Sequence, residues 1–438
     1  MKIQSLSAYP IYDSRGHPTV ECEVTLASGV RGRGVVPSGA STGQYEALEL
    51  RDRDPGRFRG RSVFKAIEHI HTRIAPAVIG MDCEEQRLVD QRMIELDGTA
   101  NKSVLGANAI LAVSTGTAAA AAHHRQLPLY ASLGEGRGRL LPLPEIQIIG
   151  GGAHANWRTD IQDVLLIATG ARSFAEVMEI THNVYHTCGD ILKKRHRYYG
   201  LADEGGFWPE FNANEEALQL LVEAIGQAGY TPGVEAALAL DIAASDLYDE
   251  ASGRYRLRLD DRELSSTEFV DLLTDWCRRY PILSIEDPAA DTDRAGWERF
   301  YAAMGNRMQI VGDDVFTTNP ARIRQGIAAP CANAVLIKLN QIGTVTETLD
   351  AIRLTQGAGW RAVVSARSGE TEDAFISHLA VATNAGQLKV GSFARGERMA
   401  KWNEVIRIER SLGDQARFIG KDILPFPFPV TTTREAMS

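Results

Sequence analysis

Ala236-Ala237-Leu238-Ala239-Leu240-Asp241, Ile282-Leu283-Ser284-Ile285-Glu286-Asp287 and Met308-Gln309-Ile310-Val311-Gly312-Asp313-Asp314 decide the fold. Each is an apolar run of strand length that ends in a carboxylate, the pattern of a parallel strand buried on both faces. An acid at the C-terminal end of such a strand points to the face where βα-barrels carry their chemistry. Three hard oxygen ligands meeting there would make a Mg2+ site. One acid after one strand can simply open a solvated loop. Three in succession, followed by two lysine-bearing strands, argue for a site.

Outward from these runs the alternation continues. Strand candidates are 141–149, 161–168, 199–202, 236–241, 282–286, 308–313, 333–338, 361–365 and 387–391. Helical periodicity falls between most of them, at 214–228, 266–279, 293–304, 343–357 and 398–412. This predicts an α/β chain with a (β/α)8 barrel over 140–420. Residues 1–133 read as an α+β domain. Thr19–Leu26 and Val30–Val36 are strands of a hairpin, and 62–80, 84–96 and Leu105–His124 are helices. Pro37-Ser38-Gly39-Ala40-Ser41-Thr42-Gly43 reads as a small, polar lid loop. Gly134–Arg139 is a linker without dinucleotide-binding spacing. The proline-rich tail, 421–438, is expected to lie extended on the surface.

The 438 residues carry a formal charge of −9, so no basic face for nucleic acid is expected. Five scattered cysteines lack metal-site spacing and read as free thiols. No apolar run reaches membrane-spanning length, and Met1-Lys2-Ile3-Gln4 opens no signal peptide, so the expected location is cytoplasmic. Only nine of the 47 basic residues are lysine. A lysine kept within a strand therefore invites a chemical reason, since lysine can shed its proton and arginine cannot. Lys338 ends the run Val335-Leu336-Ile337, and Lys389 sits in Gln387-Leu388-Lys389-Val390. Arg367 and Ser368 begin the loop after Val363-Val364-Ser365, placed to hold a phosphate. His154, Gln162-Asp163 and Glu204 also stand near strand candidates.

Several long motifs then match one family in one order. They are Tyr12-Asp13-Ser14-Arg15-Gly16, Pro37–Gly43, Leu96–Ser103, Leu105–Ala109, Asp203-Glu204-Gly205-Gly206, Ser284–Pro288, Lys338–Gly343 and Arg367–Asp373. The chain resembles the enolases (phosphopyruvate hydratases) over nearly its whole length. The resemblance implies a capping domain plus a modified barrel that begins with antiparallel strands, two Mg2+ ions per site, and a homodimer or higher oligomer. It also implies a small phosphorylated carboxylic acid as substrate. On this likeness Asp241, Glu286 and Asp313 hold the first ion and Ser41 the second. Lys338 is the base and Glu204 the acid. Lys389 takes the substrate carboxylate, and Arg367 and Ser368 the phosphate. His154, Gln162 and Asp163 complete the catalytic and substrate-binding set. Lys338 must be neutral to act, so neighbouring cations are expected to lower its pKa.

Departures from the family pattern cluster around this pocket. Ala366 stands where the family reads histidine, and Asp163 where it reads glutamate. Phe207-Trp208-Pro209-Glu210 and Asn156-Trp157-Arg158 are also unusual. They lead to the expectation of a re-cut phosphorus pocket. The substrate would then be a phosphonylated or otherwise phosphorus-modified analogue, as in carboxyphosphonoenolpyruvate formation for phosphonate antibiotics. The alternatives are an ordinary enolase acting on 2-phosphoglycerate and a non-catalytic binding protein.

Overall fold

The computed structural model describes residues 1–40, 43–329 and 331–426. The N-terminal part is a three-stranded antiparallel sheet, β1 (Ile3–Tyr12), β2 (Pro18–Leu26) and β3 (Arg31–Val35), in sequential order. Asp13 closes the β1–β2 turn by accepting from the backbone N–H groups of Arg15 and His17. Helix Ala107–His124 packs on β2 and β3. Its small residues meet the glycines of β3 at very close range. A methyl group at Gly34 would lie 2.1 Å from the Ala112 carbonyl oxygen. The helix predicted over 62–80 is broken into Phe64–His69, a wide turn Ile70–Ile74 and Ala75–Val78. Pro76 explains the break, because it lacks an N–H and its ring crowds the carbonyl four residues back.

The barrel strands are β4 (Leu143–Gly150), β5 (Asp163–Ile167) and β6 (Ala237–Asp241). After a small antiparallel sheet, β7 (Tyr248–Asp249), β8 (Arg254–Leu257) and β9 (Arg262–Ser265), come β10 (Ile282–Glu286), β11 (Gln309–Gly312), β12 (Ala334–Ile337), β13 (Arg361–Ser365) and β14 (Gly386–Ser392). They close in the order β10-β11-β12-β13-β14-β4-β5-β6. Every neighbouring pair is parallel except β4–β5 and β5–β6. One strand, β5, therefore runs backwards, and its first residue lies at the end where the other strands finish. Asp163 pairs with Gly150 on one side and Asp241 on the other.

Two expectations need correction. Residues 199–202 form no barrel strand; Leu201 makes only a single bridge to Phe207. The connection from β5 to β6 is filled instead by two helices, Phe174–Lys194 and Glu215–Gln227, packed on each other. The tail does not leave the body at residue 421. Gly420–Ile423 forms a short turn, and Ile423, Leu424 and Phe426 are buried, because apolar side chains gain more against the barrel floor than in water. Residues 427–438 lie outside the described ones.

Inside the barrel the floor is polar. Gln309 Nε2 donates to Glu145 Oε1 (3.0 Å), Ser284 Oγ (3.1 Å) and Gln387 Oε1 (2.9 Å), and Gln387 returns a bond to Gln309 Oε1 at 2.8 Å. Four strands are thus tied below the mouth, and each of these four buried side chains finds a partner, as burial requires.

Candidate active site

Strand register delivers the acids and lysines to one end. Asp241 and Glu286 close β6 and β10 as ladder partners, and Asp313 follows β11. Lys338 follows β12, and Ser365, the last residue of β13, pairs with Lys389. A narrow cleft is lined by Ala40, His154, Gln162, Asp163, Glu204, Asp241, Lys338, Ala366, Arg367, Ser368 and Lys389 among others. These include most of the expected site residues. Ser41 lies outside the described residues.

Lys389 Nζ sits 2.6 Å from Asp241 Oδ2, 2.8 Å from Glu286 Oε2 and 3.6 Å from Asp163 Oδ2. Gln162 Nε2 donates to the same Asp241 oxygen at 2.9 Å. Burial alone would lower the Lys389 pKa, but Asp241 and Glu286 together drive it well above the usual lysine value. Burial pushes the Glu286 carboxyl up, with the Asp241 charge adding to it. For Asp241 burial acts in the same direction, but Lys389 outweighs it and holds the group at about 2.

Lys338 Nζ is 2.5 Å from Asp313 Oδ2, and Gln341 Nε2 donates to Asp313 Oδ1 at 2.7 Å. The expectation that nearby cations depress Lys338 is not met in this arrangement. Burial lowers its pKa, but the adjacent Asp313 carboxylate wins and raises it. Asp287 accepts from the backbone N–H of Asp313 and of Asp314, both at 2.9 Å, and so shapes the turn that carries Asp313.

The acid side of the cleft holds His154, Asp163 and Glu204, all buried. His154 lies in the turn Gly152–Ala155 after β4, and Glu204 in the loop whose Asp203 N–H donates to the His154 carbonyl at 3.2 Å. Burial first, and then the Glu204 charge, push Asp163 up to about 8. Burial lowers the pKa of His154 despite the acids around it.

On the opposite side Arg367 donates to Glu46 Oε2 and Asn340 Oδ1, each at 2.9 Å. Ser368 Oγ accepts from Ala40 N–H at 2.7 Å. Ser38 and Gly369 exchange backbone bonds at 2.8 Å, joining the start of the 37–43 loop to the barrel mouth. Arg398 braces the same turn, donating to the carbonyls of Arg367 (2.6 Å) and Ser368 (2.5 Å). Ala366, 6% exposed, faces the cleft with only a methyl group.

Sequence reading gave no role to Gln147, Glu46 and Arg398, nor to Asp287 and Gln341, which it met only inside longer motifs. Gln147 was detectable, because Glu145 and Gln147 are alternate polar residues in the otherwise apolar β4. The others act across long sequence separations and leave no local pattern.

The donor set suits a hard divalent ion. Asp241, Glu286 and Asp313 are buried carboxylates, and Glu286 Oε1 has no hydrogen-bond partner. An unpaired buried carboxylate oxygen is costly without a cation. The three do not converge as one tight group; ammonium groups of Lys389 and Lys338 provide their counter-charge. Among the described residues, ligand atoms within 4.8 Å of one another occur in the sets Asp287–Asp313–Asp314 and His154–Asp163–Glu204.

A polar-floored barrel with acids and lysines gathered at the C-terminal strand ends has the layout of an α/β-barrel enzyme. Residues 3–133 match the family model "Enolase, N-terminal domain", and residues 138–425 match "Enolase, C-terminal TIM barrel domain". The chain is 52% identical over 423 residues to Enolase 1 of Desulfitobacterium hafniense (strain Y51), covering 96% of this chain and 97% of that protein. The chain belongs to the enolase family and is a carbon–oxygen lyase of the hydro-lyase kind. No described helix is long and apolar enough to cross a membrane.

Proposed function

We propose that this protein removes water from 2-phosphoglycerate to give phosphoenolpyruvate, reversibly and with Mg2+. The observation that carries this reading is a single cleft lined by Lys338, Glu204, Lys389, Arg367, Ser368 and Asp241. Those groups are what the elimination needs. Lys338 Nζ takes the proton from the carbon beside the substrate carboxylate. The bond to the β-hydroxyl then breaks, and Glu204 protonates the departing hydroxide so that water leaves. Lys389 offsets the charge that gathers on the carboxylate, and Arg367 and Ser368 hold the phosphate. Asp241, Glu286, Asp313 and Ser41 would hold Mg2+, which when bound supplies positive charge to the developing dianion and relaxes the hold of Asp313 on the Lys338 proton.

The ordinary substrate is favoured over a phosphorus-modified one by the likeness to a protein named enolase along nearly the whole chain. The modified reading keeps one specific support, the Ala366 methyl in place of a ring beside Arg367. An ultraviolet assay for new enolpyruvate double bonds decides between them. Rapid, Mg2+-dependent turnover of 2-phosphoglycerate is expected, with preference little changed in A366H. No turnover of 2-phosphoglycerate, with product formed from a phosphonate analogue, would overturn the ordinary reading.

A further inference from the structure

We infer that Arg158 is a positioning residue: its guanidinium stacks on Tyr199 and Trp208 and so holds the His154 turn against the loop that carries Glu204. The effect on turnover rests on the proton-donor role proposed for Glu204; the clamp itself does not. Two of the stretches that depart from the family pattern, Asn156-Trp157-Arg158 and Phe207-Trp208-Pro209-Glu210, meet at this point. Arg158 Cζ lies 4.8 Å from the centre of the Tyr199 ring and 5.2 Å from that of Trp208, within the range of a cation–π contact. Arg158 comes four residues after His154, and Trp208 four residues after Glu204. One side chain therefore ties the two loops together just beyond the groups that line the cleft.

The backbone is shaped for this contact. Asn156 and Trp157 are both left-handed, with φ of 52° and 59°, a conformation that a bulky side chain keeps only when its surroundings hold it there. The bend puts Arg258 Cζ 4.7 Å from the centre of the Trp157 ring and carries Arg158 to Tyr199 and Trp208. Trp208 Nε1 is buried without a hydrogen-bond partner, although a buried indole usually finds one. Trp208 therefore serves through its ring face. Gly200 makes room for it, since a methyl group there would lie 2.6 Å from Nε1. Tyr199 is fixed in turn by its hydroxyl, which donates to Glu210 Oε2 at 2.9 Å. The far end of the His154 segment is anchored separately. Asp160 accepts from the backbone N–H groups of Arg258 and Leu259, both at 3.0 Å, and from Asn214 Nδ2 at 2.7 Å. Loss of Arg158 would thus free one side of the turn and leave the other in place.

Steady-state kinetics of the full chain with 2-phosphoglycerate and Mg2+ test the role. R158A should lower kcat roughly tenfold or more, because a displacement of about 1 Å near the reacting groups can cost about 10²-fold. KM should move little, since a group placed for the transition state affects kcat rather than uniform binding. R158K, which keeps a cation over the rings, should recover part of the loss. K193A removes the separate contact of Lys193 with the Tyr198 ring at 5.7 Å and should turn over like wild type. W208L should fall as R158A does, and R158A/W208L should fall no further, because either change alone breaks the contact. Wild-type kcat in R158A, or losses that multiply in the double variant, would overturn the role. Hydrogen exchange decides the clamp without any turnover, and from R158A alone if W208L fails to fold. Amides of 152–158 and 203–208 should exchange about tenfold faster in R158A, the order that two cation–π contacts support, while those of Phe174–Lys194 stay as in wild type. Unchanged exchange in both loops would overturn the clamp. If wild type does not turn over 2-phosphoglycerate at all, the functional reading fails, while the exchange measurement still decides the clamp.

Discussion

Lys338 shows how much a single residue reveals and conceals. Its position at the end of an apolar run marked it as chemical, since this chain otherwise favours arginine. Its charge state was not legible, because Asp313 and Gln341 reach it only in the folded barrel. Replacing the proposed proton acceptor should remove the contribution of a positioned base, about 10² to 10⁴ in rate. K338A is therefore expected to lose that much turnover while still binding Mg2+, measured by steady-state kinetics alongside metal titration. Wild-type turnover in K338A would assign the base to another group. The departures at Ala366 and Asp163 were equally visible in the sequence. Reading them, with the unusual 156–158 and 207–210 loops, as a change of substrate outran what a few local departures can carry against likeness along 96% of the chain.

At the scale of elements, apolar runs with terminal acids located the barrel strands but not their direction, which only the family resemblance addressed by implying antiparallel strands at the start of the barrel. Asp163–Ile167 is a five-residue buried strand whose composition reads the same either way. Its direction is read only from the ladders, in which it runs antiparallel to both β4 and β6. That reversal brings Asp163 to the mouth. Helix Ala107–His124 carries a different lesson, since its alanines and the glycines of β3 are two halves of one close contact. A methyl group at Gly34 would meet the Ala112 carbonyl at 2.1 Å and the Gly116 N at 2.4 Å. Overpacking of this kind costs about 1–3 kcal/mol. G34A should lose stability in that range by denaturant unfolding, whereas G226A, with nothing within 4 Å of the new methyl, should not. Equal stability of the two would show that sheet and helix can separate without cost.

At the scale of the whole molecule, the site belongs to both halves of the chain. Ala40 reaches Ser368, Glu46 reaches Arg367, and Arg15 Nη2 donates to the Ser38 carbonyl at 2.9 Å beneath them. The barrel mouth concentrates buried acids, so an ion that binds only the folded state should stabilise the entire fold. At a concentration one hundred times its dissociation constant the gain is about 2.7 kcal/mol. Saturating Mg2+ should raise the thermal midpoint by several degrees and a chelator should reverse it, read by calorimetry. An unchanged midpoint with Mg2+ present would remove the metal from the proposal.

The sequence by itself determined that this is a two-part α/β chain with a barrel, and it named the acids, lysines and arginine of the cleft. Strand periodicity, terminal carboxylates and long ordered motifs are local signals that survive without coordinates. Tertiary structure alone decided which of the first barrel strands runs backwards, that residues 199–202 stay outside the barrel, and which groups face each other. Those outcomes depend on ladder register and on contacts between residues far apart in the chain. No short window of sequence records them, because their energy exists only once the barrel has closed.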